Sequence, residues 1–156
     1  MSLIFECKKS PKLLHLDIGL VNYQADLRMD IAMTEDVNAV YSGQVGEQIA
    51  GQTLLAMNMR KQTNLHYWRR EQKGSTSEVD YLMVINDRLI PVEVKSGKTG
   101  TLRSLHNFME ESESDLAIRA YSGRMTTEKI TTPGGKSYAL LSMPFYLLHR
   151  IEELLS

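Results

Sequence analysis

The chain has a single cysteine, Cys7, among its 156 residues. One cysteine excludes an intramolecular disulfide and a cysteine-rich zinc site. A lone thiol is typical of proteins of the reducing cytosol, so we expect a cytoplasmic protein. The sequence has no run near the roughly 20 apolar residues that a membrane-spanning helix needs, and its first apolar run is too short for a signal peptide. We therefore expect no contact with a membrane.

The chain also has almost no net charge. Its 18 lysines and arginines nearly balance 19 aspartates and glutamates, which gives a formal net charge of -1. Proteins that bind nucleic acid through their overall field are basic, so such binding would have to depend on a local patch. A hydrophobic fraction of 42% and a charged fraction of 24% are typical of a globular protein. The length suits one domain with one sizeable core.

The apolar periodicity predicts interspersed helices and strands, as in an α/β domain. Val45 and Ile49 repeat at helical spacing and predict a helix over 41–59. A composition change near residue 35 suggests a remnant at 1–35 and a main domain at 36–156. In the remnant we predict strands at 4–7 and 13–16 and a helix at 19–27. The further predictions are strands at 65–68, 79–85 and 89–95, a helix whose apolar face includes 102–109, strands at 116–121 and 138–141, and a helix at 145–155.

The hairpin "EVDYLMVINDRLIPVEVKSGK" places charges in otherwise apolar strands. Asn86-Asp87 suits a two-residue turn with positive φ, so the numbers of paired residues should sum to 173. Asp80 is then opposite Glu93, and Glu78 is opposite Lys95. Two opposed carboxylates destabilise a sheet unless a cation neutralises them. Oxygen ligands on a rigid scaffold suit Mg²⁺ or Mn²⁺, so Asp80 and Glu93 are the candidate metal ligands.

An exposed hairpin with charged pairs is the simpler alternative. Against it, Leu82 and Val84 should share the face of Asp80, and a strand that is apolar on both faces is usually central and covered. Pro91 counts the other way, because it cannot donate to a ladder and so implies an edge or a bulge. A one-residue bulge would put Asp80 and Glu93 on opposite faces of the sheet.

Asp80 followed by Glu93-Val94-Lys95 in the next strand resembles the PD-(D/E)XK nuclease superfamily. The resemblance implies a restriction-endonuclease-like core, with a central mixed sheet flanked by helices, in which a helix, a three-stranded meander, a helix and a strand follow one another. It also implies that Asp80 and Glu93 hold a metal and that Lys95 assists the attacking water. Glu47, in the preceding helix, would join the catalytic site. Val79 stands where the superfamily motif has its proline.

A narrower resemblance covers nearly the whole chain. It is carried by the motifs "SPKLLHLDIGLVNY", "GQVGEQIAGQTLL", "LHYWRREQKGSTSEVDYLM", "IPVEVKSGKTGTLRSLHNF" and "MPFYLLHRIEELL". With these motifs the sequence is similar to the C-terminal domain of unknown function of bacterial AAA-type ATPases, in which an ATPase module and a winged-helix segment precede a nuclease-like domain. This implies that the chain is a fragment, and that 1–35 is the end of the winged-helix segment.

No ATP site is expected in this chain. A P-loop needs the pattern G-x-x-x-x-G-K-[ST]. Gly97-Lys98-Thr99 lacks the first glycine because residue 92 is Val, and Gly135-Lys136-Ser137 lacks it because residue 130 is Ile. Both Gly-Lys pairs are therefore interpreted as turns.

The predicted function is metal-dependent hydrolysis of a phosphodiester in nucleic acid. A basic patch beside two aromatic residues, Tyr67 and Trp68, could contact phosphates and stacked bases. We favour the simpler interpretation, in which Trp68 packs and the arginines extend into solvent. The other open alternative is a catalytically silent module that binds nucleic acid or protein and regulates the attached ATPase. Nine methionines and the terminal helix would also suit a homo-oligomer, but packing in the core explains them as well. The candidate nucleic-acid-binding residues are Arg69, Arg70, Lys73, Lys98 and Arg103.

Overall fold

The computed structural model of this chain describes residues 12–24, 43–58, 65–72, 75–95 and 101–156. Within these ranges, six strands form one sheet in the order β1-β2-β3-β4-β6-β5. The strands are β1 (His66–Gln72), β2 (Ser75–Ile85), β3 (Arg88–Val94), β4 (Leu116–Tyr121), β5 (Thr126–Thr131) and β6 (Ser137–Pro144). The helices are α1 (Ile18–Gln24), α2 (Gln44–Asn58), α3 (Arg103–Glu111), a 3₁₀ helix (Phe145–Arg150) and α4 (Ile151–Leu154).

The sheet is mixed. Strands β1, β2 and β3 form an antiparallel meander, β3–β4 and β4–β6 pair in parallel, and β5–β6 is antiparallel. Parallel neighbours need a crossover, and α3 supplies the one between β3 and β4. The predicted α/β class, with a mixed sheet flanked by helices, is confirmed.

The register of the central hairpin is the predicted one. Five pairs, from Tyr81–Val92 to Ile85–Arg88, all have numbers that sum to 173. Asn86 and Asp87 have φ values of 52° and 60°, as a two-residue hairpin turn requires. The turn chemistry therefore fixes which residues of β2 and β3 face each other.

Apolar side chains cover both faces of the sheet. On one face, α2 and the 3₁₀ helix pack on the α2-side cluster, which includes Ala50, Leu54, Tyr81, Met83, Ile90, Val92, Ile118 and Leu148. On the other face, α3 packs on the α3-side cluster, which includes Val79, Leu82, Leu105, Phe108, Met109, Ala117 and Leu140. Strands β2, β3 and β4 are therefore covered on both sides, as expected for the centre of a sheet.

Strand β2 contains a bulge beside Asp80. His66 pairs with Leu82, but Trp68 pairs with Val79, so one extra residue of β2 lies between these pairs. Val79 and Leu82 both belong to the α3-side cluster, whereas Tyr81 belongs to the α2-side cluster. The expectation that Asp80 shares a face with Leu82 and Val84 is therefore wrong, because the bulge interrupts the alternation of side chains.

Pro91 is buried in β3, which is a central strand, although its sequence suggested an edge or a bulge. The parallel ladder with β4 begins only at Val92. Backbone nitrogens two residues apart in a strand point to the same neighbouring strand. The Lys95 N–H donates to the Ala120 carbonyl of β4, so the Pro91 nitrogen, four residues earlier, also faces β4, just before that ladder starts. Its missing N–H therefore removes no bond from the ladder, and the bulge lies in β2 instead.

Other boundaries differ from the sequence expectations. The predicted strand at 13–16 is wrong, because residues 12–17 form an irregular segment. Strand β5 was not predicted, since its side chains are almost all exposed and mainly polar. The terminal helix begins as a 3₁₀ helix. The predicted strand at 4–7 and the junction near residue 35 lie outside the described residues.

In the part of the chain that the structure describes, no helix combines the length and the apolar character that crossing a bilayer would require.

Candidate active site

The site begins where β2 and β3 separate. Their backbone pairs stop at Tyr81–Val92, and the next residue of β2 is Asp80. The Asp80 Oδ2 atom accepts a hydrogen bond of 2.8 Å from the Val94 N–H. A side-chain carboxylate thus takes a β3 donor that the antiparallel ladder would otherwise use. This bond holds the Asp80 carboxylate between the two strands.

Two further carboxylates surround Asp80. Glu47 comes from the first turn of α2 and Glu78 from β2, and one oxygen of each of the three side chains lies within 4.8 Å of the others. We call Glu47, Glu78 and Asp80 the acidic cluster. The Tyr81 hydroxyl donates to the Glu47 carbonyl at 2.8 Å, which ties α2 to β2 at this point.

Gly51 allows α2 to approach this closely. A Cβ atom at Gly51 would collide with the Tyr81 hydroxyl and with Leu14. The glycine therefore sets how near the Glu47 end of α2 can lie to the strand that carries Asp80.

Lys12 occupies the centre of the acidic cluster. Its Nζ atom lies 2.6 Å from Glu47 Oε1, 2.9 Å from Glu78 Oε1 and 3.6 Å from Asp80 Oδ1. The same ammonium lies over the rings of Tyr67 and Tyr81. Burial by itself would lower the pKa of Lys12, but hydrogen bonds to Glu47 and Glu78 outweigh it and raise the pKa above its ordinary value. Lys12 is therefore a firmly charged member of the site.

Glu93 forms a separate ion pair with Lys95. The Lys95 Nζ atom lies 2.7 Å from Glu93 Oε1, and Glu93 is only 5% exposed. Among the described residues, Glu93 Oε2 has no hydrogen-bond partner. Burial, followed by the charge of Asp80, raises the pKa of Glu93 to about 7, while Lys95 acts in the opposite direction. Burial also raises the pKa of Asp80, against the hydrogen bond from Val94.

The two predicted metal ligands thus have different immediate partners. Val92 and Val94 pack with the α2-side cluster, so alternation directs Glu93 to the α3 side. Asp80 instead joins Glu47 and Glu78 on the α2 side, as the bulge requires. Its carboxylate lies at the level of the strands, and its charge still acts on Glu93. The structure brings all four predicted catalytic residues to one end of the sheet, but not as one directly opposed pair.

Arg119 is a second cation that the sequence analysis missed. It is the register partner of Glu93 in β4, and its guanidinium lies 4.7 Å from the centre of the Tyr121 ring. Glu128 lies 3.8 Å from the guanidinium, and the Arg119 Nε atom has no hydrogen-bond partner among the described residues. A charge in the apolar strand "LAIRAY" is the same signal that identified the hairpin, and it could have found Arg119.

Lys12 gave no comparable signal. It lies beside Pro11 in an irregular segment, far along the chain from the carboxylates that it contacts. Pairing over that separation depends on how the segment packs against α2, which local sequence patterns do not report.

The predicted basic patch is largely paired. Arg69 lies 2.9 Å from Glu71, and Arg70 forms an ion pair with Glu111. Trp68 packs edge-on against Phe108 with ring centres 5.5 Å apart. These contacts favour the packing interpretation of the patch over the nucleic-acid one.

Arg103 is the first residue of α3 and is exposed. Two other predicted contacts, Lys73 and Lys98, lie outside the described residues. Of the predicted nucleic-acid contacts in the described ranges, Arg69 and Arg103 are exposed and Arg70 is half-buried.

Comparison with known families gives one match. The model of the family described as a domain of unknown function (DUF4143) matches residues 42–146. The chain belongs to this family. The match includes α2, the whole sheet and the acidic cluster. A search of curated proteins found no significant match.

Proposed function

We propose that this chain is a PD-(D/E)XK-type nuclease domain that hydrolyses phosphodiester bonds of nucleic acid with the help of Mg²⁺ or Mn²⁺. The observation that carries the proposal is the concentration of charge at the split end of a buried hairpin, where one buried oxygen of Glu93 has no hydrogen-bond partner among the described residues. A buried polar atom without a hydrogen-bond partner lowers the stability of the fold, so its presence here favours a functional role. The order of α2, β1–β3, α3 and β4 is the order that a restriction-endonuclease-like core has.

The residues present fit a divalent metal ion. Mg²⁺ and Mn²⁺ prefer oxygen ligands, and carboxylates from Asp80, Glu47 and Glu78 converge within the acidic cluster. Glu93 offers a further carboxylate, with one oxygen that has no partner among the described residues. Asp80 would hold the ion together with these groups. When bound, the ion would lower the pKa of a water molecule and offset negative charge on the phosphate.

The side chains of this site have complementary roles. As an ammonium, Lys95 would orient the attacking water or stabilise the negative charge that develops on the phosphate. As a general base it would first have to release a proton, and the neutral amine would then accept the proton of the water. The Lys95 backbone N–H donates to Ala120, which fixes the end of β3 against β4. Glu93 holds the Lys95 ammonium in place and, with a pKa of about 7, can bind a proton near neutral pH. Asp80 is oriented by the Val94 N–H before any ligand arrives.

A catalytically silent module is the alternative, and one observation favours it. The Lys12 ammonium bonds to Glu47 and Glu78 and lies near Asp80, so a side chain already neutralises part of the charge that a metal would neutralise. A protein that has lost its chemistry could keep the fold in this way. The module would then bind nucleic acid or protein and regulate an attached ATPase.

The proposal extends to the cellular compartment and to the larger protein that would contain this domain. An ATPase module would precede it in the full-length protein, which would work in the cytoplasm. The resemblance of the motifs and the single cysteine support these two statements.

The test is cleavage of supercoiled plasmid and of labelled single strands in Mg²⁺, in Mn²⁺ and with a chelator. We expect metal-dependent cutting by the wild type and a loss of at least about 100-fold in Asp80→Asn. Asp87→Asn is the matched control, because it makes the same change at the exposed turn of the same hairpin and should cut like the wild type. Metal-dependent cutting that persists in Asp80→Asn would refute the proposed site, and no cutting by the wild type would favour the silent module.

A further inference from the structure

The segment that carries Lys12 lies against α2, bonded to Gln48 and Gln52, and places Lys12 at the acidic cluster; we call residues 12–17 the strap. The Lys12 side chain is only 22% exposed, and its ammonium contacts all three carboxylates of the acidic cluster. It also contacts the Asp80 carbonyl at 3.4 Å. One flexible side chain therefore fills the space in which the three carboxylates converge.

We propose that Lys12 is a built-in occupant of the acidic cluster that a divalent cation must displace, so that cation binding and release of the strap are coupled. This inference rests on the proposed function, because it concerns regulation of the same site. The positive charge of Lys12 would keep the cluster closed until the strap moves.

The charges explain why the two occupants exclude each other. Three ionised carboxylates carry a formal charge of -3, which either the Lys12 ammonium or a divalent cation would partly neutralise. Two positive charges a few ångströms apart repel each other strongly at a protein surface, and a divalent ion doubles the repulsion that a monovalent one would feel. The ammonium and the ion cannot share a space whose oxygens lie within 4.8 Å of one another.

The remaining contacts of the strap suit a segment that can detach. The His15 N–H donates to Gln48 Oε1 at 2.9 Å, and Gln48 Nε2 donates to the Leu13 carbonyl at 2.8 Å. Gln52 also donates to the His15 carbonyl. These neutral bonds can be exchanged for water at small net cost. Leu14 is the apolar anchor, since it packs on the α2-side cluster.

The coupling is reciprocal. If the strap weakens cation binding by some factor, a bound cation must weaken docking of the strap by the same factor. A partner or substrate that lifts the strap would therefore switch on metal binding without touching the carboxylates.

Calorimetric titration with Mn²⁺ alone tests this inference on the full chain. We expect Lys12→Met to bind Mn²⁺ about 5- to 150-fold more tightly than the wild type. Lys12→Arg keeps the charge and should show no such gain. Lys129→Met removes an exposed lysine of β5 and should bind like the wild type. Adding Asp80→Asn to Lys12→Met should abolish the gain.

A second measurement uses the wild type, so it does not depend on the folding of any variant. Mg²⁺ should speed hydrogen exchange at the His15 amide, whose bond to Gln48 docks the strap. Equal Mn²⁺ affinity of the wild type and Lys12→Met, or unchanged His15 exchange in the presence of bound Mg²⁺, would overturn the strap inference but leave the proposed function standing. Weaker binding by Lys12→Met would overturn it too, by showing that Lys12 organises the cluster. If neither protein binds Mn²⁺, the proposed metal site itself fails.

Discussion

At pH 8 and without divalent metal, Glu93→Gln should unfold at a higher temperature than the wild type. Burial raises the pKa of Glu93 from 4.5 to about 7, so the folded state holds this proton more tightly than the unfolded state does. Stability is therefore lost as the pH rises from about 4.5 to 7, because the unfolded state releases the proton first. Above that window the ionised carboxylate costs at most about 3 kcal/mol.

Glutamine resembles the protonated carboxyl and can still accept a hydrogen bond from Lys95. The variant should therefore gain about 5 °C at pH 8 and close to nothing at pH 4.5. Thermal unfolding followed by circular dichroism at several pH values measures this difference. Glu113→Gln, an exposed carboxylate after α3, is the control and should follow the wild-type profile. A lower stability of Glu93→Gln at pH 8 would show that the charged form of Glu93 stabilises the fold.

Lys95→Met should have the opposite effect on stability. Removing the ammonium leaves the buried Glu93 carboxylate without the cation that lies 2.7 Å away, which costs about 3 kcal/mol for a buried pair. The loss should be large at pH 8 and small at pH 5, where Glu93 is protonated. When Glu93→Gln is added to Lys95→Met, most of the lost free energy of unfolding should be recovered. A double-mutant cycle measures this coupling.

The same lysine is expected to be needed for cleavage. Lys95→Met should lower the cleavage rate by at least about 100-fold. Lys95→Arg should keep the ion pair and much of the stability, but arginine cannot give up its proton and presents a planar fork, so it should not restore the rate. Lys129→Met serves as the control for both measurements. If Lys95→Met folds as stably as the wild type at pH 8, the ion pair carries little free energy and this part of the account is wrong.

The sequence predicts the framework of this fold well where local chemistry decides it. Asn86-Asp87 determines the hairpin turn, and the turn determines the register of β2 and β3. Helical periodicity finds α2 within three residues of its observed start. These features depend on neighbours in sequence, which is the information that patterns contain.

The site is less predictable because its geometry depends on long-range packing. The bulge in β2 is defined by the pairing of β2 with β1, and no residue type near Asp80 predicts it. It moves Asp80 towards Glu47 and away from the face of Glu93. Lys12 reaches the cluster only because residues 12–17 dock on α2. The charged residues of the hairpin could thus be selected from the sequence, but their partners could not.

The most direct test of the account is a crystal structure of the chain grown with Mn²⁺, with anomalous data collected to locate the ion. We predict an anomalous peak in contact with the Asp80 carboxylate, with Lys12 displaced from Glu47 and Glu78. Mn²⁺ absent from this end of the sheet, with the Lys12 ammonium still bound among the three carboxylates, would contradict it.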